Sequence, residues 1–276
     1  MLDIWSCRHC VSPRHTKSNH TMHTLKFSTG NAKLGKRLIF SLPAGYTCPN
    51  AGHCKTFADR VTGKIQDLPQ SAHAQGLEYR CFAAMSEARS KNCRVARWQN
   101  WDTLKTILYT DGLSPEEKIK VLTDTLVHNI NQYNNKYELC RIHESGDFWS
   151  ELYFNAWLEV ARQLPAIKFY GYTKQLSYWL NAKDSIPSNL FLTASVGGNL
   201  DPLLTRYSHI YRRIAHVVYT EEQATAMGLD IDHDDSHCFG DKPFALLVHS
   251  AQRAGSDASK ALAERKRQGK WTGYSK

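Results

Sequence analysis

The 276-residue chain has no run approaching 18 consecutive apolar residues, so it offers no candidate transmembrane helix. Its first residues are polar and rich in histidine, where an export signal would place an apolar stretch. It carries no low-complexity tract, no internal repeat and no glycine-rich dinucleotide fingerprint. These absences exclude a membrane span and a repeat solenoid. They lead to the expectation of a cytoplasmic protein whose eight cysteines are thiols or metal ligands rather than disulfides.

The net charge of +9 is concentrated at the two ends. Residues 1–38 carry seven Lys and Arg against Asp3, and residues 253–276 carry seven against Asp257 and Glu264, so the intervening body is slightly acidic. A near-neutral body with basic ends suits contact with the phosphates of a nucleic acid or nucleotide. The chain reads as a basic, His- and Cys-bearing extension, 1–24, and a single α/β domain, 25–276, that ends in a basic helix.

Six short apolar runs read as strands: 37–42, 138–143, 167–172, 190–195, 214–219 and 244–249. Helical segments lie between them. Ser114-Pro115-Glu116-Glu117 offers an N-cap, a proline at the first helical position and a capping box. Residues 150–163 align Tyr153, Trp157, Val160 and Ala161 on one stripe, and Thr220 with Gln223 makes a second capping box. From residue 138 on, strands and helices alternate, which predicts a parallel sheet with right-handed crossovers. Six strands suit a partial, roughly six-stranded parallel βα barrel, with a doubly wound sheet as the alternative. Either way, the chemistry gathers at the C-terminal strand ends.

Polar and nucleophilic residues cluster at those ends. Cys48 and Cys54 flank a Pro49- and Gly52-bearing loop just after the first run, and Cys81 follows in a further loop. Thiols brought together in this way favour an iron–sulfur cluster or zinc. Cys140 lies inside an apolar run and reads as core. After the second run come His143, Glu144, Ser145, Gly146 and Asp147, a set able to do acid–base work, hold a metal, or bind ribose hydroxyls and an amine. Lys174 ends the third run and suits a phosphate or carboxylate. Ser195 ends the fourth, and Gly197-Gly198 allows a backbone to approach a ligand closely. The acidic stretch 230–238 reads as a solvated connection. The spacing of Cys7, Cys10, His15 and His20 is that of a zinc knuckle without its aromatic and glycine positions, which makes coincidence the better reading.

Taken together, the blocks 31–34, 41–45 leading into Cys48 and Cys54, 141–148, 172–174 and 244–249 resemble the phage gene product 88 family, over about residues 25–274. That likeness implies a phage protein acting in the infected host cell. Ser145-Gly146-Asp147-Phe148, then Tyr172-Thr173-Lys174, then 186–191 with Ser195, is more distantly similar to phage relatives of radical-SAM enzymes. This second resemblance implies a partial βα barrel and a [4Fe-4S] cluster on Cys48, Cys54 and Cys81, with Cys81 standing in for the usual third cysteine, whose position holds Phe57. It also implies S-adenosylmethionine bound by Glu144, Ser145 and Asp147 and lined by Gly197 and Gly198. The segment 143–148 is in addition similar to the strand end of guanine transglycosylases.

Three functions follow as expectations. The first is a radical-SAM-like iron–sulfur enzyme that modifies a nucleic acid or nucleotide. The second is a deazaguanine transglycosylase-like enzyme with structural zinc, using Glu144 or Asp147. The third is a zinc-stabilised DNA-binding protein. All three share the basic ends, so binding to a DNA or RNA oligonucleotide should weaken steeply as salt rises, measured by fluorescence anisotropy. Undetectable binding at low salt would point to a free nucleotide instead.

Overall fold

The computed structural model describes residues 23–30, 34–68, 74–133 and 136–273. The 1–22 segment, with Cys7, Cys10, His15 and His20, and Asn31, Ala32 and Lys33 of the 31–34 block, lie outside the described residues. The chain enters through β1 (Phe27–Ser28) and β2 (Leu38–Phe40), followed by a small hairpin of β3 (Thr56–Ala58) and β4 (Ile65–Asp67). Three helices come next: α1 (Phe82–Arg89), α2 (Lys91–Leu108) and α3 (Pro115–Asn131). From there strand and helix alternate: β5 (Leu139–Ile142), α4 (Glu151–Gln163), β6 (Lys168–Thr173) and α5 (Leu176–Asn181). The series continues with β7 (Leu190–Ser195), α6 (Pro202–Arg206), β8 (Ile214–Val218), α7 (Glu221–Ala226), β9 (Phe244–Leu247) and α8 (Asp257–Arg267).

Each of the six apolar runs contains a strand, shortened by up to two residues at either end or shifted by one. The helix signals hold as well. Ser114 caps α3 in a reciprocal box with Glu117, and Thr220 caps α7 with Gln223. In α4, Tyr153, Trp157, Val160 and Ala161 are all buried, as the stripe requires.

The main sheet has the order β1-β2-β5-β6-β7-β8-β9. Only β1 runs antiparallel, at the edge beside β2; the remaining pairs are parallel. The six parallel strands therefore lie in chain order with no reversal, whereas a doubly wound sheet would switch direction partway. Among the described residues no pairing joins β9 back to β2, so the sheet is an open, mostly parallel one.

The two faces of the sheet differ. Cys140, Ile142, Phe169, Leu190, Leu192 and Ala194 point toward Leu104, Leu122, Leu126, Phe154 and Trp157 in the principal core. This confirms Cys140 as a core residue. On the other face, Tyr170, Ala215 and Phe244 gather around Cys238. Cys238 belongs to a single 3-10 turn, Ser236–Phe239, and the segment leading into it runs beside β9 through an Ile231–Ala245 bridge.

The acidic stretch 230–238 is thus not a solvated connection but a plug laid across the inner face. Asp232, Asp235 and Cys238 are buried. Asp235 takes a left-handed conformation (φ 67°) that aims its carboxylate inward, where it accepts from Arg141 (2.8 Å), Tyr170 (3.0 Å) and Tyr172 (3.2 Å). Composition misled here because acidic residues are usually exposed, and the Arg141 guanidinium on β5 with the two tyrosine hydroxyls makes this one stable inside. Asp235→Ala should lower the unfolding free energy in denaturant titration by about 3 kcal/mol or more. Asp235→Asn, which keeps an acceptor and tolerates the left-handed backbone, should cost less.

Candidate functional site

A cavity of about 490 Å³ opens at the C-terminal ends of the parallel strands. Cys48, Cys54 and Cys81 all line it, together with Glu144, Ser145, Gly146, Asp147, Lys174 and Ser195. Parallel strands joined by right-handed crossovers deliver all their trailing loops to one rim, which is why residues so distant in sequence share one wall.

The cysteine loop is held by backbone contacts. Gly52 N and His53 N both donate to Gly197 O, at 3.1 and 3.0 Å, and Ala51 bridges Gly198. A Cβ on Gly198 would fall 3.0 Å from Asn50 O and from the Lys174 Cβ. Gly197 and Gly198 are therefore spent on docking the cysteine loop against the end of β7. Neither is among the residues lining the cavity, which removes the expectation that they line a cofactor there. His53 is not on that wall either. Cys81 arrives as the residue that begins α1.

Electrostatics places the three thiols near one another. Burial pushes the Cys48 thiol well above its ordinary value, and the charges of Asp147, Cys81 and Cys54 push it further. Burial likewise pushes Cys81 up to about 12, with Cys54 adding to the shift. Burial thus favours the neutral thiol at Cys48 and at Cys81 in the absence of a cation. Cys93, half-buried on α2, is not among the lining residues.

The 143–147 turn is built from below by a buried ion pair. Glu87 Oε1 accepts from Ala44 N (2.8 Å), Arg97 Nη1 (3.0 Å) and Ser145 Oγ (3.2 Å), and Arg97 also reaches Glu144 at 3.7 Å. Gly146 (φ +89°) passes so close to β2 that a Cβ would fall 2.7 Å from the Leu42 side chain and 2.6 Å from Thr47 Oγ1. Asp147 is buried and accepts from Thr173 Oγ1 (2.6 Å), Phe148 N (2.7 Å) and Lys174 N (2.9 Å). Its carboxylate is a latch between the ends of β5 and β6. Burial raises its pKa, and the three donors oppose the rise.

Lys174 lies beyond the latch. Its Nζ donates to Ser195 Oγ at 2.5 Å and approaches Tyr79 Oη at 3.5 Å. Burial disfavours its charge, yet Tyr79, Cys54, Asp201 and Asp147 together hold its pKa above the ordinary lysine value. The result is a protonated ammonium at the cavity wall.

The residue pattern from 17 to 269 matches the family model described as gene product 88. The chain belongs to that family. The match begins upstream of Leu25 and ends before Tyr274. Among gene product 88 relatives, the Gene 88 protein of Mycobacterium phage D29 is 25% identical over 171 residues, covering 60% of each chain. The Gene 88 protein of Mycobacterium phage L5 is 26% identical over 149 residues, covering 52% of this chain and 51% of the relative. The aligned regions thus span less than two thirds of either relative. No solved structure matches the chain.

In this gene product 88 member, His143 sits apart from the other strand-end residues in character. Its backbone is left-handed (φ 65°), and its ring packs against Phe40, Phe148 and Tyr153. Nε2 lies 2.9 Å from Tyr153 Oη. It also lines the cavity, and burial drives its pKa down to about 3, so it meets that wall as a neutral imidazole packed among aromatic rings. Tyr79, Glu87 and Arg97 carry no local signal in the sequence, as lone residues of these types in helices and loops.

A histidine that is neutral when folded and protonates when unfolded gives stability that is present above pH 6.5 and lost as pH falls toward 3. Unfolding free energies at pH 7 and pH 5 should differ by up to about 1.4 kcal/mol per pH unit from this group. In His143→Asn, which tolerates the left-handed backbone, the pH 5 to pH 7 difference should shrink. An unchanged difference would show that His143 does not carry it.

Proposed function

We propose that this protein is an iron–sulfur enzyme of radical-SAM type, with Cys48, Cys54 and Cys81 holding a [4Fe-4S] cluster beside bound S-adenosylmethionine, and that it modifies a nucleic acid or nucleotide. One observation carries the reading. Three thiols from two separate loops share one wall of one cavity, at the C-terminal ends of parallel strands in chain order.

The donor set fits the group. It contains three soft sulfur ligands, the type that favours iron–sulfur clusters. Among the described residues, no three His, Cys, Asp or Glu are arranged to hold a single metal ion. Soft thiolate donors suit a cluster, the first of the three expectations, and metal analysis distinguishes it from structural zinc. The transglycosylase alternative requires a carboxylate free to attack. Both Asp147 oxygens are taken by Thr173, Phe148 and Lys174, and Glu144 alone would have to serve.

When bound, a reduced cluster with S-adenosylmethionine supplies carbon-radical chemistry. The chain's own residues have simpler tasks. The Lys174 ammonium, fixed on Ser195, is placed to take a carboxylate or phosphate. Glu144, oriented by Arg97 and partly exposed, is placed to accept from an amine or a ribose hydroxyl. Ser145 is held through Glu87, and Asp147 and Thr173 keep Lys174 on the wall without touching ligand. The described helices include none long and apolar enough to cross a membrane.

Purification under anaerobic conditions, with iron, sulfide and zinc measured, tests the reading. The expected product is brown and contains iron and sulfide. Cys48→Ser, Cys54→Ser and Cys81→Ser should each lose most of both, while Cys93→Ser should retain them. A colourless protein holding stoichiometric zinc, or one in which the three variants keep their iron, would overturn it.

A further inference from the structure

We propose that the indole of Trp271 is a stacking platform for a base of a single-stranded nucleic acid entering the cavity, with the exposed cations of α8 taking the adjoining phosphates. This rests on the nucleic-acid reading above and goes beyond it by naming the mouth, the contact and the form of the substrate.

The placement comes from the C-terminal segment. After α8 the chain turns back across the opening of the cavity, and Arg265, Lys270, Trp271 and Gly273 all line it. Two anchors fix the turn. Arg265, buried at the end of α8, donates to Val248 O at 3.0 Å beside β9 and to Trp271 O at 2.7 Å. Lys270 pairs with Glu222 at 2.9 Å and with Glu221 at 3.3 Å, at the start of α7. A strap tied at both Trp271 O and Lys270 holds its aromatic residue in one place.

Trp271 is 54% exposed although it lines the cavity, so it stands at the mouth. Gly273 lies against one part of its ring: a Cβ there would fall 2.6 Å from the indole Cζ2. A tryptophan held by its backbone, with over half of its surface open to solvent, offers the flat aromatic surface that a base face needs.

The surroundings share that chemistry. Phe82 and His249 line the same cavity and stack on each other with centroids 3.8 Å apart, and Tyr79 stacks on Phe82 at 5.3 Å. Outside the mouth, Arg253, Lys260, Lys266 and Arg267 are exposed on or next to α8. Aromatic faces lining a narrow opening, with cations along the approach, are the recurrent means of holding single-stranded nucleic acid. A duplex presents its bases edge-on and would not reach the indole face.

The test uses the full chain and fluorescein-labelled single-stranded oligonucleotides of mixed sequence, as DNA and as RNA, at low salt. A second set has the same length and phosphates but no bases. Wild-type protein should bind the base-bearing strands, Trp271→Ala should bind them about tenfold more weakly, and Trp271→Phe should keep most of the affinity. The abasic strands should bind wild type and Trp271→Ala alike, because they contact only the cations. The DNA and RNA arms identify which nucleic acid supplies the base. Equal affinity of wild type and Trp271→Ala for base-bearing strands would overturn the platform while leaving the nucleic-acid reading in place. Absence of binding by wild type to any strand would overturn both, and neither result depends on the metal content of the cysteine variants.

Discussion

The carboxylate of Asp147 joins the end of β5 to the end of β6, and the cavity depends on that join. With oxygens engaged by Thr173, Lys174 and its own neighbour Phe148, it fixes where Lys174 begins its course along the wall. Lys174 in turn positions Ser195 on the next strand, and its side chain fills the space beside Gly198, against which the cysteine loop is docked. One buried group thus sets the spacing of three strand ends and of the loop that carries Cys48 and Cys54. Leaving such a carboxylate without its donors would cost several kcal/mol, on the order of the whole stability margin of a small domain.

The same device recurs on either side. Glu87 gathers Ala44, Arg97 and Ser145 beneath the turn. Asp235 gathers Arg141, Tyr170 and Tyr172 across the inner face of the sheet. Glu87 binds donors from a loop, a helix and the turn at Ser145, and Asp235 binds donors from β5 and β6, so each ties its own helix or loop to elements with which it shares no strand pairing. Their cost in desolvation is offset by arginine partners and by several hydrogen bonds apiece. The arrangement keeps a cavity with both apolar and charged lining open on the second face of the sheet, which an open parallel sheet would otherwise fill.

The strap from Arg265 to Gly273 gives the basic C-terminus a definite position. Read along the sequence, those cations form a solvated tail with a general affinity for phosphate. Held by Arg265 and Lys270, the segment instead forms one edge of the opening, so that charge and aromatic surface stand at the same entrance.

The sequence by itself determined the six parallel strands, the capped helices α3 and α7, the buried stripe of α4 and the core place of Cys140, because apolar periodicity and capping are local in the chain. It also determined that Cys48, Cys54, the 144–147 turn, Lys174 and Ser195 meet at one rim, since parallel strands leave their trailing loops on one side. Tertiary structure alone decided the rest. Whether His143 stays a neutral imidazole at the cavity wall turns on its packing against Phe40 in a distant strand. Whether Asp235 is solvated or buried turns on Arg141, 94 residues away. Whether Gly197 and Gly198 meet a ligand or the cysteine loop turns on how two loops dock. In each case the partner that settles the matter is remote in sequence, and no local pattern of residue types records which remote group will be within hydrogen-bonding reach.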